Sequence, residues 1–174
     1  MKSVIYIVVS IYLFVSAAAF SKSNDKALSL TYDLPEYSKV YNAERDVFKD
    51  ANAALTLAKK TNRNVLIEIG GNWCTWCHKM DAFLLKNPKV YQALHSKYVL
   101  LKISVSDANE NKAFMDTLPP VLGYPHMYIS TASGKMLLSK DTAELQGDTG
   151  YSVEYWLTFL HKWQKKQQQK QPSF

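Results

Sequence analysis

Residues 65–81 read VLIEIGGNWCTWCHKMD. The sequence has two cysteines, Cys74 and Cys77, and both stand in this window with two residues between them. VLIEIGG (65–71) is short, mostly apolar and β-branched, and ends in glycines, which suits a strand buried on both faces. A helix beginning near Cys74 carries Met80, Phe83 and Leu84 inward. The dithiol therefore sits where a buried strand gives way to a helix.

Three uses of such a pair compete. A structural disulfide closing so small a loop gives only about 2 kcal/mol in the chain-entropy model, less than a long bridge would. A metal site needs two more ligands, from His78, His95, His126 or His161, and the chain has neither a second C-x-x-C nor an H-x-x-x-H. A redox dithiol fits the position best. The first turn of a helix offers free N–H groups and a partial positive charge, and both favour a thiolate at Cys74. Cys77, one turn further in, is expected to be more buried and less acidic. Cys74 then attacks a partner's disulfide and Cys77 resolves the mixed disulfide. Trp73 and Trp76 either shield the sulfurs and offer an apolar landing surface, or pack in the core.

Outward from this window the pattern alternates. Apolar residues recur at helical spacing between Glu44 and Lys60, and Asn62-Arg63-Asn64 stops that helix. After the dithiol helix, Asn87-Pro88 marks a break and a further helix runs to about Lys97. YVLLKISVS (98–106) reads as a strand, Glu110 to Thr117 as a short helix ended by Pro119 and Pro120, and HMYIST and KMLLSK as a hairpin turning at Ala132-Ser133-Gly134. Val153, Trp156, Leu157, Leu160 and Trp163 form the stripe of a last helix capped by Ser152. Strands alternating with helices imply a parallel pair, and the terminal hairpin adds antiparallel strands: an α/β domain with a central mixed sheet and helices on both faces.

The ends differ in kind. Lys2 precedes an uncharged apolar run, Val4 to Phe20, closing in Ala17-Ala18-Ala19. This pattern predicts a signal peptide over 1–19, with an uncleaved membrane anchor as the competing reading. Residues 20–42 are polar and tyrosine-rich, and are expected to form an extended arm on a domain spanning 43–164. Residues 165–174 are Gln/Lys-rich and are expected to form a disordered tail. The net charge of +6 is spread along the chain, and no nucleic-acid recognition motif accompanies it.

With these residues in hand, the chain resembles the thioredoxin superfamily over roughly residues 43–164. The likeness rests on strand–WCxxC–helix, VLIEIGGNWCTWCHKM, and on GYPHMYIS about fifty residues on. It implies a thioredoxin-like fold in which Pro125, preceded by Tyr124, is a cis-proline facing the disulfide. It also implies that Glu68, six residues before Cys74, is the buried proton acceptor for the resolving thiol. A lone glutamate in an apolar strand is in any case costly unless partnered or functional. More narrowly, the WCxWCH form with a leader resembles secreted bacterial thioredoxin-like proteins related to thiol:disulfide interchange domains. The dipeptide Thr75-Trp76 and the residue His126 after the proline depart from the usual pattern, and the dipeptide governs redox potential, so the direction of electron flow stays open.

The resemblance thus implies an extracytoplasmic protein thiol–disulfide oxidoreductase, in a bacterial periplasm, with a part in cell redox homeostasis. Cys74, Cys77, Glu68 and Pro125 form its catalytic set, and Trp73, Trp76, Tyr124 and His126 its substrate surface. Its expected partners are proteins carrying thiols or disulfides, with a membrane electron donor or acceptor. No cofactor, metal or nucleic acid is expected, and the chain is expected to be a monomer. The alternative is a non-catalytic module: a metal-handling protein using the cysteines and a histidine, or a peptide-binding domain with a vestigial dithiol. His78 is read as a cation near the thiolates or as a solvent-facing residue, and His95 and His161 as surface residues.

Overall fold

A computed structural model describes residues 33–164; the signal-peptide and tail expectations lie outside the described residues. The central feature is a four-stranded sheet in the order β2-β1-β3-β4, built from β1 (Asn64–Gly70), β2 (Tyr98–Ser104), β3 (His126–Ser130) and β4 (Met136–Asp141). β1 runs parallel to β2 and antiparallel to β3, and β3 pairs antiparallel with β4. The mixed sheet expected from the sequence is therefore present, with β1 in its interior.

Every residue of β1 and β2 is buried, as continuous apolar runs with helices on both faces require. Side chains alternate across the sheet, so each strand feeds two cores. Val65, Ile67 and Ile69 of β1 join Val99, Leu101 and Ile103 of β2 beneath α2 (Val47–Thr61). Leu66 and Leu100 face the other way, against α3 (Thr75–Lys86), α4 (Pro88–Lys97) and α6 (Val153–Trp163), where Met80, Leu94, Trp156 and Leu160 pack. Asp46 caps α2 by accepting from the Phe48 and Lys49 N–H groups, and Asn62 ends it in the left-handed conformation. Ser152 caps α6 as expected.

Three elements were not visible in the sequence pattern. A 3₁₀ turn (Thr142–Leu145) and a small hairpin, β5 (Gln146–Gly147) with β6 (Gly150–Tyr151), bridge β4 to α6. The third corrects the extended-arm expectation for 20–42. Over its described part the arm folds into one helical turn, α1 (Glu36–Lys39), and joins the domain. Tyr37 enters the core under α2, the buried Ser38 hydroxyl donates to the Leu100 carbonyl, and Tyr41 is buried beside the cysteines. Tyr37 and Tyr41 are apolar bodies with polar tips, and burying this part of the arm against the edge strand β2 also covers that edge. The helix expected over Glu110–Thr117 is shorter, α5 (Lys112–Met115).

Because Tyr37 belongs to the core, Tyr37→Ala should lower the unfolding free energy by roughly 3 kcal/mol, the scale of other buried aromatic truncations. Urea unfolding with an unchanged m-value would register the loss as stability alone. A midpoint equal to wild type would show the arm to be dispensable.

Candidate active site

The chain leaves β1 at Gly70 and turns into α3 with Cys74 as the residue that caps the helix. Cys74 and Cys77 form a disulfide with their Cα atoms 5.2 Å apart. The Cys74 sulfur accepts the Cys77 backbone N–H at 3.1 Å. This N–H is one of the unpaired donors of a helix start, and in the reduced protein it would favour a thiolate on Cys74. Both sulfurs are more enclosed than an exposed-first geometry implies: Cys74 is 4% exposed and Cys77 0%. The expected difference between the two survives only as a sliver of access to Cys74.

Gly70 makes this closeness possible. A Cβ there would stand 2.5 Å from Cys77 Sγ and 2.6 Å from the Tyr41 hydroxyl, separations that real Cβ atoms do not show. The Tyr41 hydroxyl in turn donates to Glu68 Oε1. Glu68, two residues before Gly70, shares its sheet face and that of Leu66, and is 1% exposed.

The sequence reading left open whether Glu68 is partnered, and the structure supplies a cationic partner. The parallel register sets Glu68 opposite Lys102 of β2, with Lys102 Nζ 4.0 Å from the carboxylate. Lys102 also contacts Asp81 of α3 at 2.5 Å, and Asp81 is part-exposed. Burial pushes the Glu68 carboxyl above its ordinary value, and Asp81 adds to that; Lys102 and the Tyr41 hydrogen bond oppose it. Burial and the Glu68 charge hold the Tyr41 hydroxyl well above its ordinary value, so it stays neutral. Lys102, Asp81 and Tyr41 were not singled out in the sequence. A signal for Lys102 existed: it is the one charge in an apolar strand, at the same offset from Val99 as Glu68 from Val65.

The aromatic residues surround the site at the surface. Trp73 is 55% exposed, Tyr124 41% and Trp76 38%. The Trp73 indole N–H donates to the Val105 carbonyl at 2.6 Å, and its ring meets Tyr124 edge-on at 5.1 Å. Trp76 carries the Lys79 ammonium 4.1 Å from its centroid and stacks edge-on with Tyr151. Neither tryptophan is core. An open groove beside Trp73 and Tyr124 is lined further by Val105, Met115, Leu118 and Pro120. The Tyr124–Pro125 peptide is cis.

The histidines divide differently from expectation. His126 opens β3 but is 0% exposed and bonds Ser139 through Nε2, so it does not join the accessible surface expected of it. Sequence reasoning placed it by its neighbour Pro125, but the first residue of an interior strand points into the fold. Burial lowers its pKa. His78 is exposed, with Nε2 2.8 Å from the Asn72 carbonyl. His95, expected at the surface, is 2% exposed, and burial lowers its pKa to about 4. It sits on the inner face of α4, packed on Tyr91. His161 is exposed as expected. Among the described residues no group of three His, Cys, Asp or Glu side chains is placed to hold a metal ion.

Known proteins place this arrangement. Residues 46–132, half of the chain, match the family model described as thioredoxin-like. No curated protein matches the chain significantly. Among solved structures, the disulphide isomerase from Xylella fastidiosa Temecula1 is similar, with a TM-score of 0.60 and 24% identity over 74% of this chain and 95% of that one. The C-terminal domain of Neisseria meningitidis DsbD in its oxidised form is similar at a TM-score of 0.52 and 19% identity, over 67% of this chain and 95% of that one. At these identities the structural likeness establishes the fold.

The raised Glu68 pKa sets a pH dependence of stability. Between its unfolded value near 4.5 and its higher folded value, the unfolded chain has released the proton and the folded chain keeps it. Stability therefore falls as pH rises through that window. Glu68→Gln removes the titration while Lys102 keeps Asp81. Its unfolding free energy should gain on wild type as pH rises above about 4.5, until the folded carboxyl has ionised too, read by urea unfolding at each pH. A constant difference across the range would mean that Glu68 ionises as freely folded as unfolded.

Proposed function

The chain belongs to the thioredoxin-like family, and on that premise we propose that it is a protein thiol–disulfide oxidoreductase working through the Cys74–Cys77 couple. The observation that carries this reading is the Cys77 N–H pointing at the Cys74 sulfur at a helix start, with a buried carboxyl below. A thiolate on Cys74 attacks a sulfur of the substrate disulfide. This forms a Cys74–substrate disulfide and releases one substrate thiolate. Cys77 then loses its proton and attacks the Cys74 sulfur. The Cys74–Cys77 disulfide forms, the second substrate thiol leaves, and two electrons have passed to the substrate. The reverse sequence oxidises a dithiol. The two sulfurs carry the electrons, so the reaction needs no cofactor.

Glu68 serves as the acceptor of the Cys77 proton, since a carboxyl raised towards neutrality is matched to that transfer. Trp73, Tyr124 and Trp76 present the apolar surface against which an extended substrate segment lies, with Pro125 beside it. The leader composition supports work outside the cytoplasm, in a bacterial periplasm, where a membrane protein would supply or withdraw electrons.

Three measurements test the reading. Cys74→Ser should abolish exchange with a model disulfide, and Cys77→Ser should accumulate mixed disulfides with partner proteins, seen by mass spectrometry without reductant. Trapping by Cys74→Ser alone would reverse the roles. The reduction potential of the couple decides direction: near about −270 mV it acts as a reductant, near about −120 mV as an oxidant. Mass spectrometry of fractionated cells should find a mature chain beginning near Phe20 in an extracytoplasmic fraction. An intact segment 1–20 in membranes would establish the anchor instead.

A further inference from the structure

Tyr41 comes from the arm, outside the strand–helix unit that holds the cysteines, yet its hydroxyl bonds Glu68 and lies at Gly70 beside the Cys77 sulfur. It is 4% exposed and packs with Cys74 and Cys77 in one buried cluster. Its oxygen and the Cys77 sulfur lie against the same face of Gly70, at 2.6 Å and 2.5 Å from where a Cβ would be. Its O–H already donates to Glu68 Oε1. Its carbonyl accepts from Asn72 Nδ2 at 3.2 Å, which ties the residue to the loop preceding the cysteines.

We propose that the Tyr41 hydroxyl is the proton relay between Cys77 and Glu68 in the resolving step. The inference rests on the oxidoreductase reading above. A hydroxyl both donates and accepts, so it can pass a proton without ionising. As the Cys77 S–H ionises, its proton moves to the Tyr41 oxygen, and the Tyr41 proton moves to the Glu68 carboxylate. The Cys77 sulfur, now a thiolate, attacks Cys74; the Cys74–substrate bond breaks and the substrate leaves as a thiolate that takes a proton from water. Tyr41 ends unchanged and Glu68 ends protonated. The charged and titratable groups facing this path are Glu68 from β1, Lys102 from β2, Asp81 from α3 and Tyr151 from β6. Lys102 lies 4.9 Å from the Tyr41 ring and links Glu68 to the part-exposed Asp81.

The test uses the reduced full chain and dithiobis(nitrobenzoate), whose coloured thiolate is released once when Cys74 attacks and again when Cys77 resolves. Tyr41→Phe removes only the hydroxyl. It should leave the first phase intact and slow the second about a hundredfold, the low end of general acid–base effects. The Tyr41 hydrogen bond lowers the Glu68 pKa, so its loss should move the rise of the second phase to higher pH. Because Tyr41 acts through Glu68, the double variant with Glu68→Gln should be no slower than Glu68→Gln alone. An unchanged second phase in Tyr41→Phe, or additive losses in the double variant, overturns the relay. Absence of the first phase in the wild type overturns the oxidoreductase reading itself, and the relay with it. If Tyr41→Phe fails to fold, the wild-type second phase in mixtures of light and heavy water decides: a curved dependence on deuterium content means two protons move together, and a straight line overturns the relay.

Discussion

A carboxylate 1% exposed, held 4.0 Å from an ammonium on the neighbouring strand, constrains everything around it. Taking such charges out of water is costly unless they are paired and their remaining hydrogen-bonding capacity is met. The parallel register Glu68↔Lys102 supplies the pair. Asp81 and the Tyr41 hydroxyl supply the remaining partners from a helix and from the arm. Four segments distant in sequence are thereby tied to one point beneath the disulfide. Slipping β1 against β2 by one residue would place Lys102 on the opposite face of the sheet, so the charge pair also specifies strand register.

The same point couples stability to chemistry. Burial holds the Glu68 proton more tightly than water would, which makes it a stronger proton acceptor than a free carboxylate and weakens the fold as pH rises. Gly70 shows the same trade. A side chain there would strengthen the strand, yet it would occupy the space in which Cys77 Sγ and the Tyr41 hydroxyl meet. Above this buried set, Trp73, Trp76 and Tyr124 leave apolar area in water, as an approach surface requires and a core would not.

What the sequence determined was local. Helical spacing located α2, α3, α4 and α6, apolar β-branched runs located β1 and β2, and the alternation of the two implied a mixed sheet with helices on both faces. The cysteine spacing at a strand–helix junction identified the dithiol, and the apolar context of Glu68 marked it as a group that must be partnered or used. Tertiary structure alone decided which partner. Lys102 sits thirty-odd residues on in the sequence, and only parallel pairing sets it beside Glu68. Tyr41 looked like part of a polar arm because an arm with a single four-residue helical turn has no periodicity to read; its burial comes from Cys74, Cys77 and Gly70, against which it packs. His95 and His126 were misplaced for the same reason: whether a single polar residue faces water or the core depends on which side of its element meets the rest of the chain. Local patterns encode elements, because backbone sterics and side-chain period act within a few residues. The pairing of distant charges is fixed only when those elements meet.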